Sequence, residues 1–437
     1  MYTLHTLIHK LIPNWIYQRL ISDWDKEGFK KYLKNTSWIA AARIISLIIS
    51  FFTIAIIARY LGPENYGKLS YAQNFVALFS AFAALGLDQI IYRDLIAEKD
   101  KEAELLGTAF VLRAFFGGIT LIATILTAIF LNDDVILTWM IGIIALSFIF
   151  QPFGVIGHLF NAHILSKYNS YITIAVAFLL PGLKMAVVYF DEGILYFSVI
   201  IALESLVYAI AYVFLYRKVM YSSPLHWSIS LRRAQVLLLY SWPLLMASFS
   251  GYIYGRIDQV MIQQFIDSTA VGFYDVAVRL TELLGFFPGV IIASLFPALI
   301  NAKKESLEKY RQRFQSLILL CVGISFISAL FLFLLAPYII TLLFGPEFYV
   351  AISVTRLYVW STIGTVLIIL MQQYFITENQ SAHFLFFSIL GASINIALNS
   401  VLIPIYGIYG ATLATLITLT CIILVFLITK NAIVTHN

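Results

Sequence analysis

The sequence predicts an all-α integral membrane protein with about twelve transmembrane helices, arranged as two six-helix bundles around a central cavity. The first observation is composition: 61% of the 437 residues are hydrophobic and 12% are charged, and the mean hydropathy is +0.89, far from the usage of soluble domains. The second is a series of apolar windows of about 20 residues, each long enough to cross roughly 30 Å of hydrocarbon. The predicted spans are residues 37–59, 69–92, 107–131, 135–158, 168–190, 194–216, 236–265, 270–299, 314–337, 350–376, 383–403 and 408–429.

Lysine and arginine are concentrated on one side of these spans, and loops rich in them stay in the cytoplasm. Because the number of spans is even, both termini are predicted to be cytoplasmic. The opposite loops carry little basic charge beyond Lys68. The net charge of +5 follows from this asymmetry, and there is no basic patch interleaved with aromatic residues that would indicate a nucleic-acid partner. The cytoplasmic basic residues include Lys30, Lys31, Arg93, Lys99, Lys101, Arg217, Lys218, Arg232, Arg233, Lys303 and Lys304.

The spans divide the chain into four predicted segments. Residues 1–34 form a cytoplasmic N-terminal segment, whose apolar residues at helical spacing indicate an amphipathic helix on the membrane surface. Pro13 interrupts that pattern, so a poorly ordered tail is the alternative, and no cleavable secretory signal is recognisable. Residues 35–218 form the first bundle, residues 219–235 a cytoplasmic linker, and residues 236–437 the second bundle.

The two predicted bundles contain related loops. The segment RYLGPENYGKLSYAQ follows the first span, and QFIDSTAVGFYDVAV follows the seventh. Aligning Gly67 with Gly272 also aligns Ala72 with Ala277. Few positions are identical, so chance similarity of two small loops is the alternative. A true repeat would relate two halves of the same orientation by an axis along the membrane normal, a design used by transporters that rock around a central site.

Five basic residues fall inside apolar spans, where a cation costs roughly 2.5 to 3.5 kcal/mol on insertion scales and usually marks a functional pathway. Because they are spread over both halves, they predict a cavity that binds an anion. Guanidinium groups in particular suit phosphate oxygens. Arg43 and Arg256, on the first helix of each half, are therefore expected to attract the anion with Arg279 and Arg113 nearby, while Lys184 extends the field outward. The candidate substrate-binding residues are Arg43, Arg113, Lys184, Arg256 and Arg279.

Three of these cations have a structural alternative. Arg113 is close enough to the end of its span to reach the cytoplasmic interface. Arg279 has Asp275 four residues before it and Glu282 three residues after it, a pattern that also pairs charges within one helix. Lys184 follows a Pro-Gly pair, where a broken helix exposes carbonyl groups to a cavity or is merely kinked.

Carboxyl groups inside the spans are the candidates for coupling to a proton or a sodium ion, because a desolvated carboxyl readily carries a proton. For Asp88, an ordinary interfacial acid near Arg93 is the alternative. The candidate ion-coupling residues are Asp88, Glu204, Asp258, Asp275 and Glu282.

Tyrosines recur at i, i+4 spacing after Glu204 on the sixth predicted span. Their rings and hydroxyl groups suit the lining of a lumen and stacking on sugars, although tyrosines near a helix end also form the interfacial aromatic belt. The candidate sugar-lining residues are Tyr208, Tyr212 and, in the GYIYG segment of the seventh span, Tyr252.

Several blocks of the sequence resemble a known family: YLGPENYGKLSYAQ, RIDQVMIQQFIDSTAVGFYDVAVRL, SLFPALI, LFGPEFYVA and INIALNSVLIPIYGIYGATLATLI. They are similar to the polysaccharide-synthesis branch of the multidrug, oligosaccharidyl-lipid and polysaccharide exporter superfamily, whose best-known members are O-antigen (Wzx-type) flippases. The resemblance extends from about residue 35 to the C-terminus. It implies a MATE-like fold and export of undecaprenyl-pyrophosphate-linked oligosaccharides from the cytoplasmic leaflet of the bacterial inner membrane.

Other functions have less support in the sequence. A Gly-rich phosphate loop of the Walker type is missing, which argues against ATP hydrolysis. The short predicted outer loops argue against a polysaccharide polymerase or ligase, so no catalytic residue, metal site or cofactor is predicted. A cation-coupled drug exporter of the same superfamily is the alternative, although the first span lacks an acid. The expected partners are the lipid-linked oligosaccharide, membrane lipids, a coupling proton or sodium ion, and a polysaccharide polymerase with its chain-length regulator.

Overall fold

A computed structural model describes residues 26–220, 223–378 and 380–435, and every regular element in these ranges is a helix. Of the predicted N-terminal segment, residues 1–25 lie outside the described residues, and residues 26–34 belong to the first helix. The helices are α1 (Lys26–Ala84), α2 (Asp88–Ala97), α3 (Glu102–Leu131), α4 (Val135–Ala145), α5 (Ser147–Phe150), α6 (Val155–Ala162), α7 (Ser166–Tyr189), α8 (Ile194–Met220), α9 (Leu231–Phe265), α10 (Ser268–Glu305), α11 (Leu307–Leu343), α12 (Tyr349–Tyr358), α13 (Ser361–Thr377), α14 (Ser381–Tyr406) and α15 (Ile408–Thr435).

Helix α1 contains the first predicted span and most of the second, and it is interrupted at Gly62. The backbone of Gly62 has φ 68° and ψ 173°, a conformation that glycine reaches without the steric cost of a side chain. Pro63 then lacks the N–H that would continue the hydrogen-bond ladder. An added Cβ on Gly62 would lie 3.3 Å from a carboxylate oxygen of Glu347. The Gly-Pro pair therefore divides one long apolar segment into two helical arms.

The all-helical membrane architecture is confirmed, whereas the number of twelve spans is not. The described ranges contain nine helical segments long and apolar enough to cross a membrane, and a tenth if the bent pair Pro346–Tyr358 and Ser361–Thr377 counts as one span. One of the nine, Ala41–Ala97, is 57 residues long, which is more than twice the roughly 20 residues that one crossing needs. This segment includes parts of both arms of α1. The number of apolar segments is therefore smaller than the number of times that the chain crosses the membrane if each arm crosses once.

The two halves of the chain meet at a reciprocal glycine contact between α1 and α10. An added Cβ on Gly67 would lie 1.7 Å from the carbonyl oxygen of Ser268, and one on Gly272 would lie 2.2 Å from the carbonyl oxygen of Pro63. The alignment of Gly67 with Gly272 also pairs Pro63 with Ser268, so each partner makes the same contact with the other, as in an interface with twofold symmetry. The backbones touch because neither glycine has a side chain.

Polar side chains continue this interface along the second arm of α1. Ser70 donates a hydrogen bond to Gln259 Oε1 at 3.0 Å, and Asn74 donates to the same oxygen. Tyr66 donates to Asp275 Oδ2. Tyr71 Oη accepts a hydrogen bond from Gln264 Nε2 at 3.1 Å. The halves are therefore joined by directional bonds as well as by close backbone packing.

The segment before α9 is bound to the first half at the opposite end of the molecule. Ser230 N donates to Thr108 Oγ1 at 3.1 Å. Arg233 Nη1 lies 3.0 and 2.9 Å from the two carboxylate oxygens of Glu98, and its Nη2 lies 3.3 Å from Asp94 Oδ2. These Arg233 contacts, called here the linker clamp, hold the start of the second half against α2.

Candidate substrate site between the two halves

A cavity of about 490 Å³ lies between α1, α5, α8 and α9, and we call it the tyrosine cavity. All three tyrosines predicted to line a lumen contribute to it, and Tyr252 does so from the second half of the chain. None of its lining side chains is charged, and most of the polar ones carry an amide or a hydroxyl group. The lining residues are Gln73, Val76, Ala77, Ser80, Ser147, Phe148, Phe150, Gln151, Gly154, Ser205, Tyr208, Ala209, Tyr212 and Tyr252.

Two tyrosines form a stacked pair on the wall of this cavity. The ring centroids of Tyr208 and Tyr212 are 6.2 Å apart, with 28° between the ring planes. Gly157 allows α6 to approach this wall, because an added Cβ there would lie 2.8 Å from Tyr212 Oη. Aromatic faces beside hydroxyl and amide groups combine apolar contact with hydrogen bonding. That combination suits a sugar, which has C–H faces and hydroxyl edges.

A smaller cavity of about 30 Å³ adjoins the first and contains two basic residues; we call it the cation cavity. Lys184 reaches it from α7 and Arg279 reaches it from α10, so the two cations come from opposite halves. Gln73 lines both cavities. In this state the cation cavity has room for about one water molecule, so a phosphate group must widen it to enter. Its lining residues are Ile54, Ile57, Tyr66, Leu69, Ser70, Gln73, Lys184, Ile201 and Arg279.

Each of these two cations has an acidic neighbour. Arg279 Nε lies 3.1 Å from Asp275 Oδ2, and its Nη2 lies 3.4 Å from Gln73 Oε1. Asp275 is fully buried, and its Oδ1 has no hydrogen-bond partner among the described side chains. Glu204 lies within electrostatic range of Lys184. The pairing of Arg279 with Asp275 matches the structural alternative raised by the sequence, while Arg279 still faces the cavity.

A third cavity, of about 1000 Å³, lies mainly in the second half between α9, α13, α14 and α15; we call it the apolar cavity. Its wall is mostly aliphatic and aromatic, and its lining contains no charged side chain. Gln89 of α2 is the contribution of the first half. The lining residues are Gln89, Pro243, Leu244, Ala247, Ser248, Ser250, Gly251, Tyr254, Thr365, Ile368, Ile369, Met371, Gln372, Ile376, Phe384, Leu385, Phe387, Ser388, Gly391, Leu419 and Ile422.

Arg43 and Arg256 do not line any of these three cavities. The side chain of Arg43 is exposed on α1, and no ion pair or hydrogen bond joins it to another described side chain. Arg256 Nη2 lies 3.4 Å from Glu282 Oε1, and its buried Nη1 has no hydrogen-bond partner in the described part of the chain. The first helix of each half therefore presents its cation away from the cavities.

Arg113 and Asp88 form an ion pair near the start of α2 instead of lining a cavity. Arg113 is 3% exposed and donates to Asp88 Oδ1, and His158 Nε2 lies 2.8 Å from the same oxygen. Because Arg113 is buried, its side chain does not extend into the membrane interface, as the snorkelling alternative required. The alternative for Asp88 was an ordinary acid at the membrane interface near Arg93. In the structure Arg93 pairs instead with its neighbour Asp94 at 2.8 Å. His158 was not predicted from the sequence to contact Asp88.

Asp258 is buried in the second half and is surrounded by neutral donors. It accepts hydrogen bonds from Tyr274 Oη at 2.7 Å, Asn399 Nδ2 at 2.6 Å and Thr415 Oγ1 at 2.8 Å. The described side chains include no cation within ion-pair distance of it. Asn399 Oδ1 and Asn395 Nδ2, beside this carboxylate, are buried without partners. This group offers several oxygen atoms to a small cation or a proton.

Comparison with known proteins assigns the family. Residues 32–303, more than half of the chain, match the model of the family described as "Polysaccharide biosynthesis protein". The chain belongs to this family.

Two relatives have names that refer to a cps region or to capsular polysaccharide. A protein named "Uncharacterized membrane protein in cps region", from Klebsiella pneumoniae, is 24% identical over 334 residues. The match covers 72% of this chain and 65% of the relative, so it spans slightly less than two thirds of that protein. "Capsular polysaccharide biosynthesis protein CapF" of Staphylococcus aureus is 20% identical over 324 residues, which cover 72% of this chain and 78% of CapF.

Solved structures with a similar fold are membrane transport proteins. "Lipid II flippase MurJ, inward closed conformation" superposes with a TM-score of 0.72 at 14% identity, covering 90% of this chain and 87% of that one. An inward-facing multidrug resistance MATE family transporter of the MOP superfamily gives a TM-score of 0.70 at 15% identity, covering 89% and 95%. At these identities the similarity concerns the fold, and it confirms the MATE-like architecture implied by the sequence blocks.

Proposed function

We propose that this protein is a flippase that moves a lipid-linked oligosaccharide across the inner membrane of a bacterium, from the cytoplasmic to the outer leaflet. The observation that carries the proposal is the position of Gln73, which lines both the tyrosine cavity and the cation cavity. A site suited to sugars therefore lies directly beside two cations. A sugar head joined to a pyrophosphate has the same arrangement of neutral and charged groups.

The division of the substrate between the two cavities follows from chemistry. Hydroxyl-rich sugars buried without hydrogen-bond partners carry a large desolvation cost, and the amides and hydroxyls of the tyrosine cavity supply such partners. Lys184 and Arg279 repel each other across the cation cavity, and an anion between them removes that repulsion. Charge-assisted hydrogen bonds from Arg279 to phosphate oxygens are stronger than bonds between neutral groups.

Alternating access supplies a route for this head. With both termini in the cytoplasm, the linker clamp lies on the cytoplasmic side and the Gly67–Gly272 contact on the outer side. Rocking of one half against the other around the central site would break one of these contacts while keeping the other. The membrane potential favours outward passage of an anion by about 2.3 kcal/mol per charge per 100 mV, and Asp258 is the proposed site for a coupling proton or sodium ion. A polymerase and a chain-length regulator are the proposed partners after translocation.

The test is complementation of a host strain in which the gene is deleted. Lys184→Ala and Gln73→Leu are expected to abolish or strongly reduce surface polysaccharide and to leave lipid-linked oligosaccharide in the inner leaflet. Arg43→Ala is the matched control, because it removes a predicted cation that lines neither cavity, and it is expected to restore polysaccharide. If the deletion strain makes normal polysaccharide and becomes sensitive to cationic dyes, the protein is a drug exporter and the proposal is wrong.

A further inference from the structure

Exposed basic residues lie where lipid-facing stripes end, at the proposed cytoplasmic end of the molecule. On α8, Ile210, Phe214 and Lys218 follow one another at four-residue spacing, and all three are exposed. Lys218 Nζ lies 5.9 Å from the centroid of the Phe214 ring, so both side chains are on the same side of the helix. Arg217 beside it is exposed as well. Long basic side chains at such a place extend from an apolar surface toward the lipid headgroups.

The start of α9 has the same arrangement on the other side of the linker. Arg232, Val236 and Leu239 recur at helical spacing and are exposed, so this helix also presents an apolar stripe that ends in a cation. Residues 223–230 of the linker lie between these two basic helix ends.

The linker runs at the level where α3 enters its predicted membrane span. Ser228 N donates a hydrogen bond to the carbonyl oxygen of Ala103 at 3.3 Å, and Ser230 N donates to Thr108 Oγ1 at 3.1 Å. An added Cβ on Gly107 would lie 2.3 Å from the carbonyl oxygen of Ser228. The predicted span of α3 begins at Gly107, so these contacts hold the linker at the depth of the membrane interface.

The linker also covers the end of a lipid-facing side of α3. Thr108 shares a helix face with Val111 and Phe115, three and seven residues further on, and these two side chains are exposed. Leu225 and Ile229 of the linker are 85% and 62% exposed. At this depth and on this side of the molecule, two exposed apolar side chains lie next to lipid.

We propose that Arg217, Lys218, Leu225, Ile229 and Arg232, called here the linker surface, bind anionic phospholipid of the cytoplasmic leaflet. The apolar pair enters the boundary between headgroups and acyl chains, and the three cations attract lipid phosphates in a leaflet that carries negative charge. All charged members of the surface are basic, which favours an anionic lipid over a zwitterionic one. The inference rests on the proposed function for the orientation that places this end in the cytoplasm.

Bulk phospholipid fits the linker surface better than the lipid-linked substrate does. The linker surface shares no residue with the tyrosine, cation or apolar cavity, so it lies outside the proposed path of the head. Arg232 is followed directly by Arg233 of the linker clamp. Lipid bound here therefore holds the start of α9 where the clamp forms, and anionic lipid is expected to stabilise the clamped protein.

Fluorescence quenching tests whether the linker surface meets lipid. The full-length protein with Ile229→Cys, in a background without other cysteines, is labelled with bimane and placed in phosphatidylcholine vesicles that contain brominated phosphatidylglycerol. Bimane at this position is expected to be quenched about as strongly as bimane on Phe115→Cys, which marks the lipid-facing side of α3. Absence of quenching would overturn the inference, because the linker would then face water or a protein.

Charge removal tests whether the lipid is recognised by its phosphate. Native mass spectrometry of the purified protein should show phosphatidylglycerol binding weakened about fivefold for each charge removed in Arg217→Ser and Lys218→Ser. Lys99→Ser, which removes an exposed lysine of the same end that lies outside the linker surface, should bind as the wild type does. Phosphatidylglycerol should also raise the thermal midpoint of the wild type more than that of the double variant.

Two results would overturn the inference and leave the proposed function in place. One is equal binding of phosphatidylglycerol by the wild type and the double variant. The other is tighter binding of undecaprenyl phosphate than of phosphatidylglycerol that is lost in the double variant, because the occupant would then be the substrate lipid. Labelling of Ile229→Cys in intact cells by a membrane-impermeant maleimide would instead contradict the orientation on which the proposed function depends.

Discussion

Lys184 and Arg279 belong to opposite halves of the chain, yet both line one small cavity. Neither is the cation on the first helix of its half, although the sequence favoured those two, Arg43 and Arg256, as the principal anion-binding residues. Because one comes from α7 and the other from α10, any movement of one half relative to the other changes the separation of these two charges. Anion binding at this cavity, as proposed above, would therefore be coupled to the conformation of the protein.

Removing the Lys184 charge should weaken anion binding with little effect on folding. Hydrogen bonds to charged groups contribute about 1.5 to 3 kcal/mol, so Lys184→Ala is expected to raise the dissociation constant for pyrophosphate by roughly 10- to 150-fold. Isothermal titration calorimetry of the purified protein measures this change. Arg43→Ala is the control and should bind as the wild type does; equal weakening in both variants would contradict the assignment of Lys184 to the anion site.

Arg279 should combine a structural role with a functional one, and the two can be separated. Arg279→Ala leaves the buried Asp275 without its cation, a change that costs about 3 to 5 kcal/mol for a buried pair. The thermal midpoint of unfolding should fall clearly. Adding Asp275→Asn removes the unpaired charge and is expected to restore most of the thermal midpoint, while surface polysaccharide stays low in complementation. Recovery of both stability and polysaccharide would show that Arg279 serves only to neutralise Asp275.

The glycine contact between the halves should tolerate no side chain. In Gly67→Ala the new methyl group would overlap the carbonyl oxygen of Ser268, so α1 and α10 are expected to separate at the end of the molecule that is proposed to face outward. A cysteine introduced as Ser268→Cys should then react faster with a membrane-impermeant maleimide than it does in the Gly67 background. Gly118→Ala, where an added Cβ meets nothing within 4 Å, is the control; unchanged labelling in Gly67→Ala would contradict a closed outer contact.

Neutralising Asp258 should uncouple transport from an ion gradient. Asp258→Asn keeps the shape of the side chain and removes its charge, so the ion or proton proposed to bind there loses its counter-charge. Flipping of a fluorescent lipid-linked substrate in vesicles is expected to stop responding to an imposed proton or sodium gradient. Glu282→Gln, at a half-exposed acid paired with Arg256, is the control and should respond normally. A gradient response in Asp258→Asn equal to that of the wild type would exclude this carboxylate.

The linker clamp should weaken in acid. Hydrogen bonds from Arg233 lower the pKa of Glu98, so the ionised carboxylate contributes stability above the ordinary glutamate pKa of about 4.3, and this contribution is lost as pH falls through the lowered value. Glu98→Gln should lower stability at pH 7 by about 0.2 to 1 kcal/mol, as for a surface ion pair that stays partly accessible to water. Thermal unfolding from pH 7 to pH 3 checks this, and a difference that grows at low pH would contradict the sign.

The sequence predicted the all-helical membrane fold because that fold depends on hydropathy along the chain. The aligned glycines Gly67 and Gly272 make reciprocal contacts, which agrees with the predicted relation between the two loops. The hydropathy pattern locates Arg43 and Lys184 at embedded positions but does not determine which way each side chain faces around its helix. That direction depends on packing, which turns Lys184 into a cavity and leaves Arg43 exposed.

The neutral polar residues that line the tyrosine cavity could not be predicted from composition. Gln73 and Gln151 are ordinary neutral residues within apolar helices, and no motif distinguishes them. They become part of a site only because α1 packs beside α8 and beside the turn Gln151–Gly154. Tyr208 and Tyr212 were predicted because their spacing alone aligns them on one face of a helix.

The reciprocal contact of Gly67 and Gly272 also bears on the origin of the chain. Two equivalent patches that bind each other are what a pair of identical subunits presents across a twofold axis. A protein consisting of a single half could thus have formed a homodimer with this same interface. Joining two copies through a linker would preserve the interface and allow the two halves to differ in sequence, so that one contains Lys184 and the other Arg279.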